Sequence, residues 1–131
     1  MARKISLGFE LNSTTTGVEL KTAPTGTFSI VTTPVRSGTY AGRCNPTAAT
    51  GYFTIATPAA IGAQNFTQFW VNFASFPAGL TKIFVPTGGT TFNTSIRINS
   101  NGTLELWEGF TPAQAGVDSS ALSLNTWHRI G

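Results

Sequence analysis

The sequence predicts an all-β fold, an antiparallel two-sheet sandwich, and three observations carry that reading. Short apolar runs follow one another with Pro and Gly between them, and no long segment has a helical period. The run TQFWVNFASF (67–76) alternates strictly, with Phe69, Val71 and Phe73 on one side and Gln68, Trp70 and Asn72 on the other. The run FNTSIRINSNGTLELWE (92–108) permits one hairpin register that separates apolar from charged side chains. A two-residue Asn101-Gly102 turn would set Ile98 opposite Glu105 and Arg97 opposite Leu106, mixing both faces. A three-residue loop, Ser100-Asn101-Gly102, sets Ile98 opposite Leu104, Ile96 opposite Leu106 and Arg97 opposite Glu105. That register leaves one dry face and one wet face, with Gly102 in the left-handed position of a bulged turn.

In chain order the expected strands are ISLGFE (5–10), FSIVT (28–32), GTYAGRC (38–44), GYFTIA (51–56), TQFWVNFASF (67–76), LTKIFV (80–85), FNTSIRIN (92–99), TLELWE (103–108) and TWHRI (126–130). Most are rich in the β-branched and aromatic side chains that suit a pleated, half-buried surface. Breaks fall at Ala23-Pro24-Thr25-Gly26, Pro34, Asn45-Pro46, Pro77-Ala78-Gly79 and Pro86-Thr87-Gly88-Gly89. Between Ala113 and Leu122 the sequence allows one helical turn at most.

The 131 residues read as a single domain, residues 1–131, able to bury roughly 65–70% of its unfolded surface. Charged residues make up 10%, against about 25% in an ordinary domain. A Thr- and Ser-rich surface of low charge suits contact with neighbours, because few charges must be desolvated. The net charge of +3 is scattered rather than gathered on one stripe, which argues against nucleic acid as a partner. Cys44 is the sole cysteine, so no internal disulfide forms, and its apolar-leaning setting predicts a small buried hydrophobe. No run is apolar enough for a signal peptide or a membrane span, which predicts cytosolic synthesis without membrane insertion.

The segments FWVNFASFP, IRINSNGTLELW and LSLNTWHRI, with VRSGTYAGR (35–43) and GFE ahead of them, resemble the laminin-G-like branch of the concanavalin A-like jelly rolls. The resemblance implies a jelly-roll sandwich in which Trp127 plugs the core. Every matching motif is a packing motif, so it informs fold more than function. Members of that family continue past the Trp-His-x-Ile strand with strands that close the back sheet. This sequence stops at Gly131, so the expectation is a longer native polypeptide or a second chain that supplies the missing strands.

The chemistry of a hydrolase is missing. Glucanases of the same superfamily resemble one another in a strand that points its carboxylates one way. Here Glu105 and Glu108 have odd spacing, which puts them on opposite faces of a strand. His128 is the only histidine, and it is expected to alternate against Trp127 with its polar face outward. A Cys44-His128 dyad and calcium at Asp118 are conceivable on residue type alone, but one His and one Cys cannot complete a zinc site. No metal, cofactor or catalytic residue is expected.

The candidate binding residues are Gln68, Trp70, Asn72, Arg97 and Trp107. Trp70 between two amides fits a sugar- or partner-binding cleft, or else a second packed layer beneath a loop. Trp107, on the face with Arg97 and Glu105, reads as a contact anchor in an assembly or as a surface aromatic shielded by Arg97. Two functions follow. The first is a non-enzymatic structural or adhesive subunit of a virus particle, of the phage head-decoration or tail-associated kind, partnered by other virion subunits or its own copies. Such proteins leave the cytosol by lysis, which reconciles the lack of a signal with a fold found mostly outside cells. The second is a carbohydrate-binding lectin-type module working outside the cell through Trp70.

Overall fold

The computed structural model describes residues 9–14, 22–45, 52–54, 67–85, 94–108 and 113–131. These contain antiparallel β-structure and no helix. The chain divides into two compact units, Met1–Thr67 and Gln68–Gly131.

In the first unit, β1 (Thr22–Thr25) pairs with β4 (Tyr52–Thr54), and β2 (Phe28–Val31) pairs with β3 (Ala41–Cys44). The β1 segment carries Pro24, which sequence reasoning treats as a break. Among the described residues its sheet has two strands, and an edge strand tolerates a missing N–H donor. The pairing also slips between Thr22 and Thr25. The expected strand over 5–10 lies largely outside the described residues. Its last two, Phe9 and Glu10, are not strand: Phe9 takes a φ of 60° and its carbonyl accepts a bond from the Asn12 N–H at 2.9 Å. Cys44 is exposed, not buried as expected, because it sits at the end of β3 with β2 as its sheet partner. Partial desolvation still pushes its thiol pKa up.

The second unit has two layers. One is the pair β5 (Phe69–Asn72) and β10 (Trp127–Ile130). The other is a sheet in the order β6 (Thr81–Phe84), β7 (Ser95–Ile98), β8 (Leu104–Glu108) and β9 (Ala113–Gln114). The β7–β8 hairpin has the register that its side chains demand: Ile98 faces Leu104, Ile96 faces Leu106, Arg97 faces Glu105 and Ser95 faces Trp107. Gly102 takes a φ of +84° and donates its N–H to the Asn99 carbonyl at 3.0 Å. β9 is a short strand in the stretch expected to hold a helical turn. The Ala115 N–H reaches the Leu106 carbonyl at 2.8 Å, so the chain satisfies its backbone against β8.

The layers meet through their apolar faces. Phe69 of β5 stacks on Phe84 of β6 with ring centroids 5.4 Å apart. Phe73 and Phe76 pack at 5.9 Å, and the Phe76 ring lies against Gly102. Among the described residues Ile98 is the best-buried apolar side chain, 1% exposed. Full burial of such a side chain stabilises by about 1.5–3 kcal/mol. This is β-sandwich-like packing, with the interior on the odd residues of β5 and the even residues of β8.

The structure reverses two burial expectations at the hairpin. Leu106, on the dry face, is 45% exposed, while Ser95 and Glu105, on the wet face, are 1% and 7% exposed. For the first, the described strands number two in one layer and four in the other, and Leu106 lies beside the open groove that Ile130 and Val117 also line. The second follows from Arg97 and Trp107, which fold across their own sheet face.

Candidate functional site

Antiparallel pairing of β5 with β10 sets Trp70 opposite Arg129 and Asn72 opposite Trp127. Because Phe69 and its neighbour Ile130 point to the interior, these four side chains share the outer face of the layer. Gln68 continues the same side of the alternation, just ahead of the strand. Trp70 is 39% exposed, Gln68 and Arg129 are exposed, and Asn72 and Trp127 are half-buried. Directly opposed residues sit about 5 Å apart at Cβ and diagonal ones about 7–8 Å, so the two indoles are diagonal neighbours within mutual reach.

Trp127 is therefore not the core plug that the resemblance implies. The register turns it to the outer face and turns His128 inward, opposite Val71. The expectation of an outward-pointing His128 is corrected with it. The histidine keeps a polar contact there, its Nε2 lying 2.9 Å from the Ser123 carbonyl oxygen.

Arg97 and Trp107 belong to a second group, on the outer face of the other layer. The Arg97 guanidinium carbon lies 4.0 Å from the centroid of the Trp107 ring, and its Nε donates to Ser95 Oγ at 3.1 Å. The Trp107 indole N–H donates to Glu105 Oε2 at 2.6 Å, and Asn99 Nδ2 donates to Glu105 Oε1 at 3.1 Å. A buried carboxylate is costly unless hydrogen-bonded, and both Glu105 oxygens are. Arg97 over the ring and Glu105 at the indole N–H occupy a face and the edge of Trp107 within its own sheet. The five candidate residues thus divide between the two outer faces, Gln68, Trp70 and Asn72 on one and Arg97 and Trp107 on the other.

Between the layers, an open and mostly apolar groove of about 370 Å³ is lined by Ile96, Leu104, Leu106, Val117 and Ile130, together with Glu105, Ser119 and Gly131. Val117 is 91% exposed. At one end of the sheet Asp118 accepts bonds from Gln114 Nε2 at 2.6 Å and Thr103 Oγ1 at 3.2 Å, which ties the segment after β9 to the hairpin. Glu105 and Glu108 lie on opposite faces of β8, paired with Arg97 and Ala113. Among the described residues no three His, Cys, Asp or Glu side chains gather to hold a metal.

Searched against family models, curated proteins and solved structures, the chain matches none. The outer face of β5–β10 therefore speaks through its own chemistry: aromatic plates, amide hydrogen-bonders and one cation. Sequence alternation reveals Gln68, Trp70 and Asn72 but not Trp127 and Arg129, because the partner strand lies more than fifty residues away.

Proposed function

We propose that the chain is a non-enzymatic structural or adhesive subunit of a virus particle, built on a concanavalin A-like jelly roll of the phage head-decoration or tail-associated kind. The observation that carries this reading is the open, mostly apolar groove. Leu106 and Val117 expose apolar surface at the seam of two layers, where a neighbouring subunit would gain hydrophobic contact on assembly. The low charge of the chain lowers the desolvation cost of such packing. Immunogold labelling of purified particles tests it: label on the particle surface is expected, with weaker incorporation of a Leu106→Asp, Val117→Asp variant. Label confined to unassembled protein refutes it.

A second reading, a carbohydrate-binding module, is favoured by the outer face of β5–β10. Tryptophan plates flanked by amides are the side chains that a pyranose ring and its hydroxyls require. The two readings are compatible in a particle protein that grips host sugars.

A further inference from the structure

We propose that the outer face of the β5–β10 layer selects acidic glycans, with Trp70 and Trp127 as ring platforms and Arg129 as the partner of a sugar carboxylate. The proposal rests on the carbohydrate-binding reading and adds the ligand's charge class to it. Three observations lead there.

The first is spacing. Trp70 and Trp127 are diagonal neighbours across one antiparallel pair, a placement that in β-sheets separates residues by about 7–8 Å and somewhat less at Cβ, which suits one extended saccharide lying over both. The C–H faces of pyranoses are apolar and the indole faces electron-rich, so stacking supplies affinity with little sequence of hydroxyls specified. The second is the distribution of amides. Gln68 and Asn72 flank Trp70 on the same side of the strand and can donate to and accept from hydroxyls at the edge of a stacked ring.

The third is the contrast between two arginines. Arg97 is engaged, stacked on Trp107 and bonded to Ser95. Arg129 is exposed and, among the described residues, has no hydrogen-bond or ion-pair partner. Among the described residues, neither β5 nor β10 carries a carboxylate that shares its face in register. The register sets the Arg129 guanidinium fork directly opposite Trp70. A carboxylate on a stacked ring would meet that fork in a charge-assisted, bidentate bond. A neutral sugar would cover the same cation and leave it without an anion, which costs affinity. Selectivity for the acid follows from both terms.

The test is a printed array holding uronate- and sialate-bearing glycans beside their methyl-esterified or neutral counterparts. It is read with the full chain, Arg129→Gln and Trp70→Ala, with an oligothymidylate as a separate probe. Expected is binding to acidic glycans about 10–100-fold tighter than to their uncharged counterparts. R129Q should lose that margin while keeping whatever binding the uncharged sugars show, and W70A should weaken both. Arg129 is an exposed side chain, so R129Q should keep the wild-type circular dichroism and unfolding midpoint. Equal binding of acidic and uncharged glycans, unaffected by R129Q, overturns the charge selectivity and leaves the carbohydrate reading standing. No binding to any glycan overturns both. Tighter binding of oligothymidylate than of any glycan assigns the face to single-stranded nucleic acid instead and overturns the proposal.

Discussion

Replacing Gly102 by alanine isolates how much the hairpin turn owes to its contact with the second layer. Gly102 has a φ of +84°, and a Cβ there would lie 2.6 Å from Cε2 and Cζ of Phe76. Gly116 is a natural control, with a φ of +86° and nothing within 4 Å of its would-be Cβ. Both substitutions incur the left-handed penalty of an L-residue, about 1–2 kcal/mol. Only Gly102→Ala must also push a packed aromatic ring, and overpacking of that kind costs about 1–3 kcal/mol. Gly116→Ala should therefore destabilise by about 1–2 kcal/mol and Gly102→Ala by about 2–5 kcal/mol. Urea unfolding followed by tryptophan fluorescence reads both, with free energies compared at unchanged m-value. The excess should shrink when Phe76→Leu removes the ring edge from the Gly102→Ala background. Equal losses for the two glycine variants, or an excess that survives Phe76→Leu, would refute the reasoning, because the clash would then contribute nothing.

Trp107→Phe keeps the plate under Arg97 but removes the indole donor from buried Glu105, so a loss of about 1–3 kcal/mol is expected, and a neutral result in urea unfolding would contradict the network. Ile98→Ala should cost about 2–4 kcal/mol against under about 1 kcal/mol for Leu106→Ala, since the first is 1% and the second 45% exposed; similar losses would mean the groove is closed in solution. The thiol of Cys44 has a folded pKa above its unfolded value, so the folded state holds the proton longer and any stability tied to it declines as pH rises from the unfolded value toward the folded one. Alkylation of the native protein by iodoacetamide at pH 8 should thus run slower than in urea, and an equal or faster native rate would disprove the shift.

The candidate site was legible in part, and the limits are physical. Alternation has a period of two, so TQFWVNFASF announces that Phe69 and Val71 face one way and Trp70 the other, and the Phe69–Phe84 stack fits that. The same period, with one glycine at the right place, leaves the β7–β8 hairpin a single sensible pairing, and the structure has it residue for residue. What alternation cannot supply is the identity of a distant partner. The joining of β10 to β5 brings Arg129 beside Trp70, Trp127 onto the same surface and His128 inside, against the expectation for both Trp127 and His128.

Local patterning along one or two adjoining strands thus determined which side chains share a face. Only the tertiary structure decided which face is dry. Burial depends on what lies above a sheet: Leu106 stays 45% exposed on the apolar face, while Arg97 and Trp107 close over Glu105 and Ser95 on the side that polarity alone would have given to solvent.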